Sequence, residues 1–547
     1  MVKYTQGLPG FSSGCNSGDL NKVEIGEEIL DKKSFLKGAF ILGVAGVVSK
    51  LLGALYRIPL ARLLGGEGMG LYQMAYPIYT TILALATAGV PVAISIMVAR
   101  KESGGLSGDS RKIFRVSFLL LFIIGIALSA TVFLSAGFLA NTVLRQPKAF
   151  LPIAAVAPAI FFAGMLSVFR GYFQGHQWMV PTAVSQVVEQ IFRVAFVLIL
   201  AFWLFPRGLE LAAAGATFGA VIGAVAGLVV LIIFYVKFRQ RPVPSGRLKY
   251  SHESSRQLAG ELIKLAVPVS LGAMVVPLVQ MLDAVIVPTR LITAGFSVSR
   301  ATELYGQLSG MASVLINLPT IFTIAIATSL VPAVAEAVAM RDKPALRQRI
   351  NEGLRVAMLL ALPSAVGLCV LAYQITDLLF ASPEAGIPLA YLAFSVIVLA
   401  LFQVTSASLQ GLGHPEIPLR HLMITGALKI FFNFYLTGLV YLNIKGPAIG
   451  TSLAFLVGSA LNMIQLARRT GVSFEWGRHI KLVLIAVVMG IMVYISYQTL
   501  VTWGLHSHLT TLVAIVIGAG VYGIALLVTR ELDLALIRRL IRFSRGG

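Results

Sequence analysis

The chain is 547 residues long, 57% hydrophobic and only 12% charged, with a formal net charge of +21. Together with a mean hydropathy of +0.86, this excludes a soluble globule and describes an all-α polytopic membrane protein. The charge does not imply a nucleic-acid partner. Its residues stand beside the ends of apolar segments, as in Arg100-Lys101, Arg111-Lys112, the run from Lys237 to Lys264 and Arg538-Arg539, where anionic membrane lipids attract them.

Residues 1–34 lack the apolar core of a signal peptide and carry Asp19, Glu24, Glu27, Glu28 and Asp31. They read as a disordered cytoplasmic tail, with the first span serving as an uncleaved anchor. A bilayer core of about 30 Å takes about 20 apolar residues. The segments of that length are 36–60, 70–98, 114–138, 150–170, 180–204, 210–236, 262–289, 307–335, 354–380, 387–409, 419–442, 447–467, 481–502 and 509–529. About fourteen transmembrane helices, an even number, put both termini on one side. With that side cytoplasmic, 33 of the 44 Lys and Arg residues are cytoplasmic or at cytoplasmic helix ends, 7 face outward, and Lys50, Arg57, Arg193 and Lys429 lie within spans. This is the asymmetry of the positive-inside rule. The stretch LDLALIRRLIRF alternates Leu/Ile with Arg at helical spacing, as in a helix lying along the inner leaflet.

An internal repeat is visible at an offset near 230. Leu71-Tyr72 matches Leu304-Tyr305, Gln174-Gly175 matches Gln410-Gly411, Pro181 matches Pro418, Gly215 matches Gly450, and Pro59 matches Pro288. Two six-helix lobes of one orientation follow, related by a pseudo-two-fold axis along the membrane normal, with two additional C-terminal helices. The expected organisation is the tail 1–34, a first lobe 35–236, a basic linker 237–261, a second lobe 262–468, helices thirteen and fourteen in 469–529, and a basic amphipathic tail 530–547. Transporters of this design bind substrate between lobes near mid-membrane.

Charges inside a span are costly unless they face protein, water or ligand. In the first span, Gly43, Gly46, Lys50, Gly53 and Arg57 share one helical face, so small residues and two cations line a surface that another group can approach. Lys50 either snorkels to the inner interface or assists a ligand; Arg57, just before the helix-disrupting Pro59, reads as a ligand residue. In the fifth span Gln186, Glu189, Gln190 and Arg193 form a polar stripe, which lines a cavity or seals against another polar helix. In the second lobe Asp283 and Arg290 share a face with Gln280, and Lys429 stands with Thr425 and Asn433. The substrate-binding candidates are Lys50, Arg57, Gln186, Glu189, Arg193 and Arg290; the coupling or gating candidates are Asp283, Lys429 and Asn433. Five interior cations against two acids suit an anionic substrate, and the planar donor fork of arginine suits phosphate.

No catalytic residue, metal site or cofactor is expected. Cys15 and Cys369 make no framework, and His506, His508, Asp377 and Glu384 show no spacing of a metal or acid/base site. A glycosyltransferase or polymerase therefore finds no machinery here. A multidrug antiporter would call for an acid-dominated cavity, and a non-transporting scaffold leaves the interior cations without a role.

The stretches SKLLGALYRIPLARLLGGEGMGLYQMAYP, GVPVAISIMVAR and RGYFQGHQWMVPTAVSQVVEQIFRV resemble the polysaccharide-transporter branch of the multidrug/oligosaccharidyl-lipid/polysaccharide flippase superfamily, nearest to its sporulation and lipid II flippase members. The resemblance covers residues 35–530. It implies a V-shaped two-lobe fold that flips a lipid-linked saccharide, a polyprenyl diphosphate, from the inner to the outer leaflet. It also implies a role for Lys50 and Arg57 in the first helix and makes cell-wall synthesis enzymes candidate partners. The chain departs from the branch in two places. No arginine lies between Tyr72 and Val98, and Lys429 brings a cation where some members hold sodium near a position like Asp283.

Overall fold

The computed structural model describes residues 38, 41–104, 107–239, 253–472 and 475–531. The expected tail 1–34, all of the tail 530–547 beyond Glu531, most of the 237–261 linker and Cys15 lie outside these residues. Among the described residues every regular element is a helix. Helix α1 (41–55) passes through Tyr56 into α2 (Arg57–Thr87), which is followed by α3 (Val90–Ser103). Ile41–Ser103 is 63 residues of nearly continuous helix, and as a straight rod it would reach about 95 Å, three bilayer cores. Gly65 interrupts it at φ 64° and ψ −170°, a conformation open to glycine because it lacks Cβ. The spans expected at 36–60 and 70–98 thus meet at one glycine rather than across a loop.

The first half continues with α4 (Ser107–Phe138), the short α5 (Phe150–Val156) and α6 (Pro158–Gly175), then α7 (Val180–Leu204) and α8 (Leu209–Arg239). The second half opens with α9 (Ser255–Thr293), whose start is fixed by a capping box between Ser254 and Gln257. There follow α10 (Val298–Tyr305), a π-helical turn at Gly306–Ala312, α11 (Ser313–Ala339), α12 (Lys343–Val370) and α13 (Ala372–Phe380). Helix α14 (Gly386–Leu392) is bent against α15 (Ser395–Gly411) by 44°. The chain closes with α16 (Glu416–Thr437), α17 (Lys445–Thr470), α18 (Trp476–Thr502) and α19 (Ser507–Val528). Among the described residues eleven helices are long and apolar enough to cross a membrane, twelve with the bent pair taken as one span. Dividing Ile41–Ser103 at Gly65 and adding α16, whose Arg420, Lys429 and Asn433 lower its hydropathy, gives fourteen crossings.

Repeat-matched glycines make equivalent close contacts. Gly215 brings α8 onto α7 at the Leu200 carbonyl, and Gly450 brings α17 onto α16 at Phe432. Gly175 meets Val98 of α3, and Gly411 meets Val334 of α11. Helices α18 and α19 pack on α12 and α13.

The halves touch at two levels. At one, a Cβ on Gly70 would lie 2.1 Å from the Thr302 carbonyl oxygen, and one on Gly306 would lie 2.0 Å from that of Gly66. The contact is reciprocal: each half presents its glycine to the backbone of the other. Gln73 Nε2 donates to the Ser309 carbonyl at 2.7 Å, and Gln146 Nε2 to Thr302 Oγ1 at 2.6 Å. The second seam lies more than a bilayer-core length along the helix, about 35 Å at 1.5 Å per residue. There the Gly89 amide donates to Ser270 Oγ at 3.0 Å, while Arg100 and Lys101 reach Glu261 and Glu253 at 3.1 and 2.6 Å.

Candidate functional site

Between the two seams lies a cavity of about 300 Å³. Its wall includes Arg57, Gln73 and Tyr76 from the first half, and Gln280, Asp283, Tyr305, Asn317, Lys429 and Asn433 from the second. Two polar clusters adjoin it: the second lines it, whereas of the first only Arg57 and Tyr76 do, and the expected binding residues Gln186, Glu189 and Arg193 lie outside its wall.

The first is built where α1, α2, α6 and α7 converge. Tyr72, Tyr76 and Tyr79 recur along one face of α2 with ring centroids 5.6 and 5.8 Å apart. The Tyr56 and Tyr72 hydroxyls lie 2.8 Å from each other. The Arg57 guanidinium stands 5.8 Å from the Tyr76 centroid, within reach of the ring quadrupole. Its Nε is buried without a hydrogen-bond partner, and its neighbours are the neutral side chains of Tyr56, Tyr72 and Tyr76. On α7, Glu189 accepts from Arg193 Nη2 at 2.6 Å and from Arg170 Nη2 at 2.7 Å, while Arg170 Nε donates to Ser185 Oγ at 3.1 Å. These three ions are each about 15% exposed. Ser49 Oγ donates to the Gln186 carbonyl, and Gly53 of α1 sits against the Gln190 side chain. The polar stripe of the fifth span thus meets the first span at Ser49 and Gly53, while Gly43 and Gly46 have open space beside them. The Gln186 Oε1 and Arg193 Nε atoms stay buried and unpaired.

The second cluster joins α9 to α16. Asp283 accepts from Lys429, and its other oxygen accepts from Asn433 Nδ2 at 2.7 Å. The Asp283 and Lys429 side chains are 14% and 15% exposed, and Asn433 Oδ1 has no partner. Asp283, Lys429 and Asn433, separated by some 150 positions in sequence, therefore form one neutral unit in the cavity wall.

Of the remaining candidates, Lys50 is exposed on α1. Arg290 lies outside the cavity wall; it donates from Nε to the Phe434 carbonyl at 3.0 Å and covers the Phe434 ring at 4.3 Å. Sequence reasoning missed Arg170. The fourth span was expected to end there, which placed its charge among the headgroups, but α6 runs on to Gly175 and carries Arg170 more than a turn inside. The tyrosines of α2 were also missed, although their i, i+4, i+7 spacing was legible. Among the described residues no group of three His, Cys, Asp or Glu comes together to hold a metal.

A helical membrane protein with contacts repeated between its halves, and with a cation-bearing cavity where those halves meet, has the architecture of a transporter. The chain belongs to the polysaccharide biosynthesis protein family, whose model matches residues 35–338; that of MatE matches residues 308–435. It is 28% identical to stage V sporulation protein B of Bacillus subtilis (strain 168), over 93% of this chain and 98% of that protein. It is 29% identical to lipid II flippase MurJ of the same organism, over 89% and 94%. Among solved structures, lipid II flippase MurJ in an inward closed conformation superposes with a TM-score of 0.69 at 14% identity, covering 90% of this chain and 99% of that one. An inward-facing multidrug resistance MATE family transporter superposes with a TM-score of 0.64 at 17% identity, over 77% and 94%.

Proposed function

We propose that this protein is a flippase that moves a polyprenyl-diphosphate-linked saccharide from the inner to the outer leaflet of a bacterial cytoplasmic membrane, for cell-wall, spore-cortex or surface-polysaccharide synthesis. Both termini are cytoplasmic in this reading, so the Gly66–Gly70/Gly306 seam faces outward. The lobes 35–236 and 262–468 rock about the cavity, and helices of 469–529 flank them.

One observation carries the reading. Of the two cations in the cavity wall, Lys429 is neutralised by Asp283, whereas Arg57 keeps an unpaired Nε donor among tyrosines. A guanidinium held in this way is a ready partner for a diphosphate, which supplies the missing acceptors and charge. Arg193 and Arg170 share a single carboxylate and leave a further positive charge behind it. The cavity stands at the lower limit of small-ligand sites, so the diphosphate and its sugars enter only when one seam opens. No bond is made or broken.

The test is headgroup translocation in proteoliposomes with a fluorescent polyprenyl-diphosphate disaccharide. Wild type should transport, and Arg57→Ala should lose transport at least tenfold while inserting and melting normally. Unchanged flipping in the variant sinks the Arg57 site. A well-folded wild type that never flips the probe, with or without voltage or a pH gradient, sinks the flippase reading.

A further inference from the structure

Two carbonyls at the end of α13 are held from the other half of the molecule. A helix leaves its last carbonyls without partners of its own. Where α13 stops, the chain turns back through Ala381 at φ 52°. The Ala381 amide donates to the Asp377 carbonyl at 2.9 Å and that of Ser382 to the Thr376 carbonyl at 3.5 Å. The Leu378 and Leu379 carbonyls receive neither amide. Arg62 of α2 takes both, donating from Nε to Leu379 at 2.7 Å and from Nη2 to Leu378. The planar donor fork of arginine matches two neighbouring acceptors, and its charge suits the negative end of a helix.

This contact stands beside the Gly66–Gly70/Gly306 seam, four residues before Gly66. The glutamines that bond across that seam, Gln73 and Gln146, are buried. Arg62 is exposed, so water can take the place of its carbonyl acceptors when the halves part. Helix α13 passes the hold on. The backbone of Gly386, where α14 starts, presses on the backbone of Tyr373, and α14 brings Leu392 to the cavity wall.

Arg62 shares a short piece of helix with Arg57. Pro59 supplies no amide to the Leu55 carbonyl, the helix is interrupted at Tyr56, and Gly65 breaks it again at φ 64°. Residues 57–64 are therefore two turns of helix between two weak points, with Leu60, Ala61 and Leu64 buried. Arg57 lies at the inner end of this piece, in the cavity wall with its Nε unpartnered. Arg62, five residues and about 7.5 Å of rise further on, lies toward its outer end. A displacement of Arg57 that moves the piece as a unit must move Arg62 as well. The cavity of about 300 Å³ has little room beside Arg57 as it stands, so an anion carrying sugars is held there only if that wall gives way.

We propose that Arg62 is a positioning residue that ties the outer face to the occupancy of Arg57. While no anion sits on Arg57, Arg62 caps α13 and the outer seam is latched. A diphosphate on Arg57 displaces residues 57–64 about Tyr56 and Gly65, which draws Arg62 off the Leu378 and Leu379 carbonyls and lets the seam open. The ligand thereby binds the unlatched state better than the latched one, the differential affinity that any ligand-driven opening requires. The coupling to a diphosphate rests on the flippase reading; the latch itself does not.

The full chain in nanodiscs tests both steps. Spin labels at the exposed positions Thr142→Cys on the first half and Ser299→Cys on the second, in a background with Cys15 and Cys369 replaced by serine, report the outer seam by pulsed dipolar spectroscopy. Without ligand, wild type should give mainly the short distance. Arg62→Ala should raise the long-distance population at least threefold, and Arg62→Lys, which keeps the charge without the fork, should raise it less. Arg207→Ala, which removes an outer arginine resting on Trp203, should leave it as in wild type. A side chain that merely capped α13 would lower the melting temperature without moving this distance. An unchanged distance in Arg62→Ala, or an equal opening in Arg207→Ala, overturns the latch. A fluorescent polyprenyl-diphosphate disaccharide, once bound, should raise the long-distance population of wild type at least threefold and leave that of Arg57→Ala unmoved. A bound probe with a seam that stays short, or an equal response in Arg57→Ala, overturns the coupling. A wild type that binds no probe counts against the flippase reading and the coupling together, while the ligand-free comparison still decides the latch.

Discussion

The two ion clusters inside the spans solve one problem in two ways. In the second half, Asp283, Lys429 and Asn433 close on one another, so that charge is cancelled within a single cross-helix unit. In the first half Arg170 and Arg193 divide one carboxylate, and Arg57 has none. Ions in a low-dielectric span need compensation, and the two clusters supply it to different degrees. The neutral cluster joins α9 to α16, and the surplus positive charge of the other is what the proposed diphosphate would meet.

The comparison is broken most severely by removing one member of the neutral pair. Asp283→Ala leaves the Lys429 ammonium uncompensated inside the span, and such truncations cost about 3–5 kcal/mol. The double variant Asp283→Ala/Lys429→Ala should recover most of that loss in thermal melts of the detergent-solubilised protein. Equal destabilisation of single and double variants would mean that the pair contributes nothing as a pair. In the cationic cluster the corresponding change is milder. Arg170→Ala removes one charge-assisted hydrogen bond to Glu189, worth about 1.5–3 kcal/mol, but leaves Arg193 at 2.6 Å. A melt as damaged as that of Asp283→Ala would show that Arg193 cannot hold Glu189 alone.

The extent to which these clusters were legible in sequence follows from their geometry. Glu189 and Arg193 are one helical turn apart, so the α7 stripe could be read directly. Asp283 and Lys429 could each be flagged as interior ions, but their union rests on how α9 crosses α16, which local pattern does not encode. Arg170 was hidden by a boundary: apolar content falls where the helix does not, and five further residues of α6 moved a headgroup cation into the interior. The spans themselves were readable because hydropathy and length are strong signals. The junction of the first two at Gly65 was not, since a single positive φ leaves no apolar gap.

A third ion group, outside the spans, sharpens the contrast between interior and surface. Near the Gly306 seam, Glu384 accepts from Arg300 at 2.9 Å and from Gln307 at 3.3 Å. These hydrogen bonds, that of Arg300 foremost, hold its carboxyl below the ordinary carboxylate range. Its side chain is 53% exposed, so solvent and salt screen the pair, and Glu384→Gln should cost no more than about 1 kcal/mol. The sign is set by the lowered carboxyl: its contribution is complete above the ordinary value near 4.3 and is lost as pH falls through the depressed one. Melting temperatures of wild type and Glu384→Gln should therefore differ slightly at pH 7 in low salt, and converge both in high salt and well below pH 4. The Asp283→Ala deficit, lying inside the span, should survive the same salt. If both deficits vanished together, the distinction between a screened surface pair and a compensated interior pair would fail.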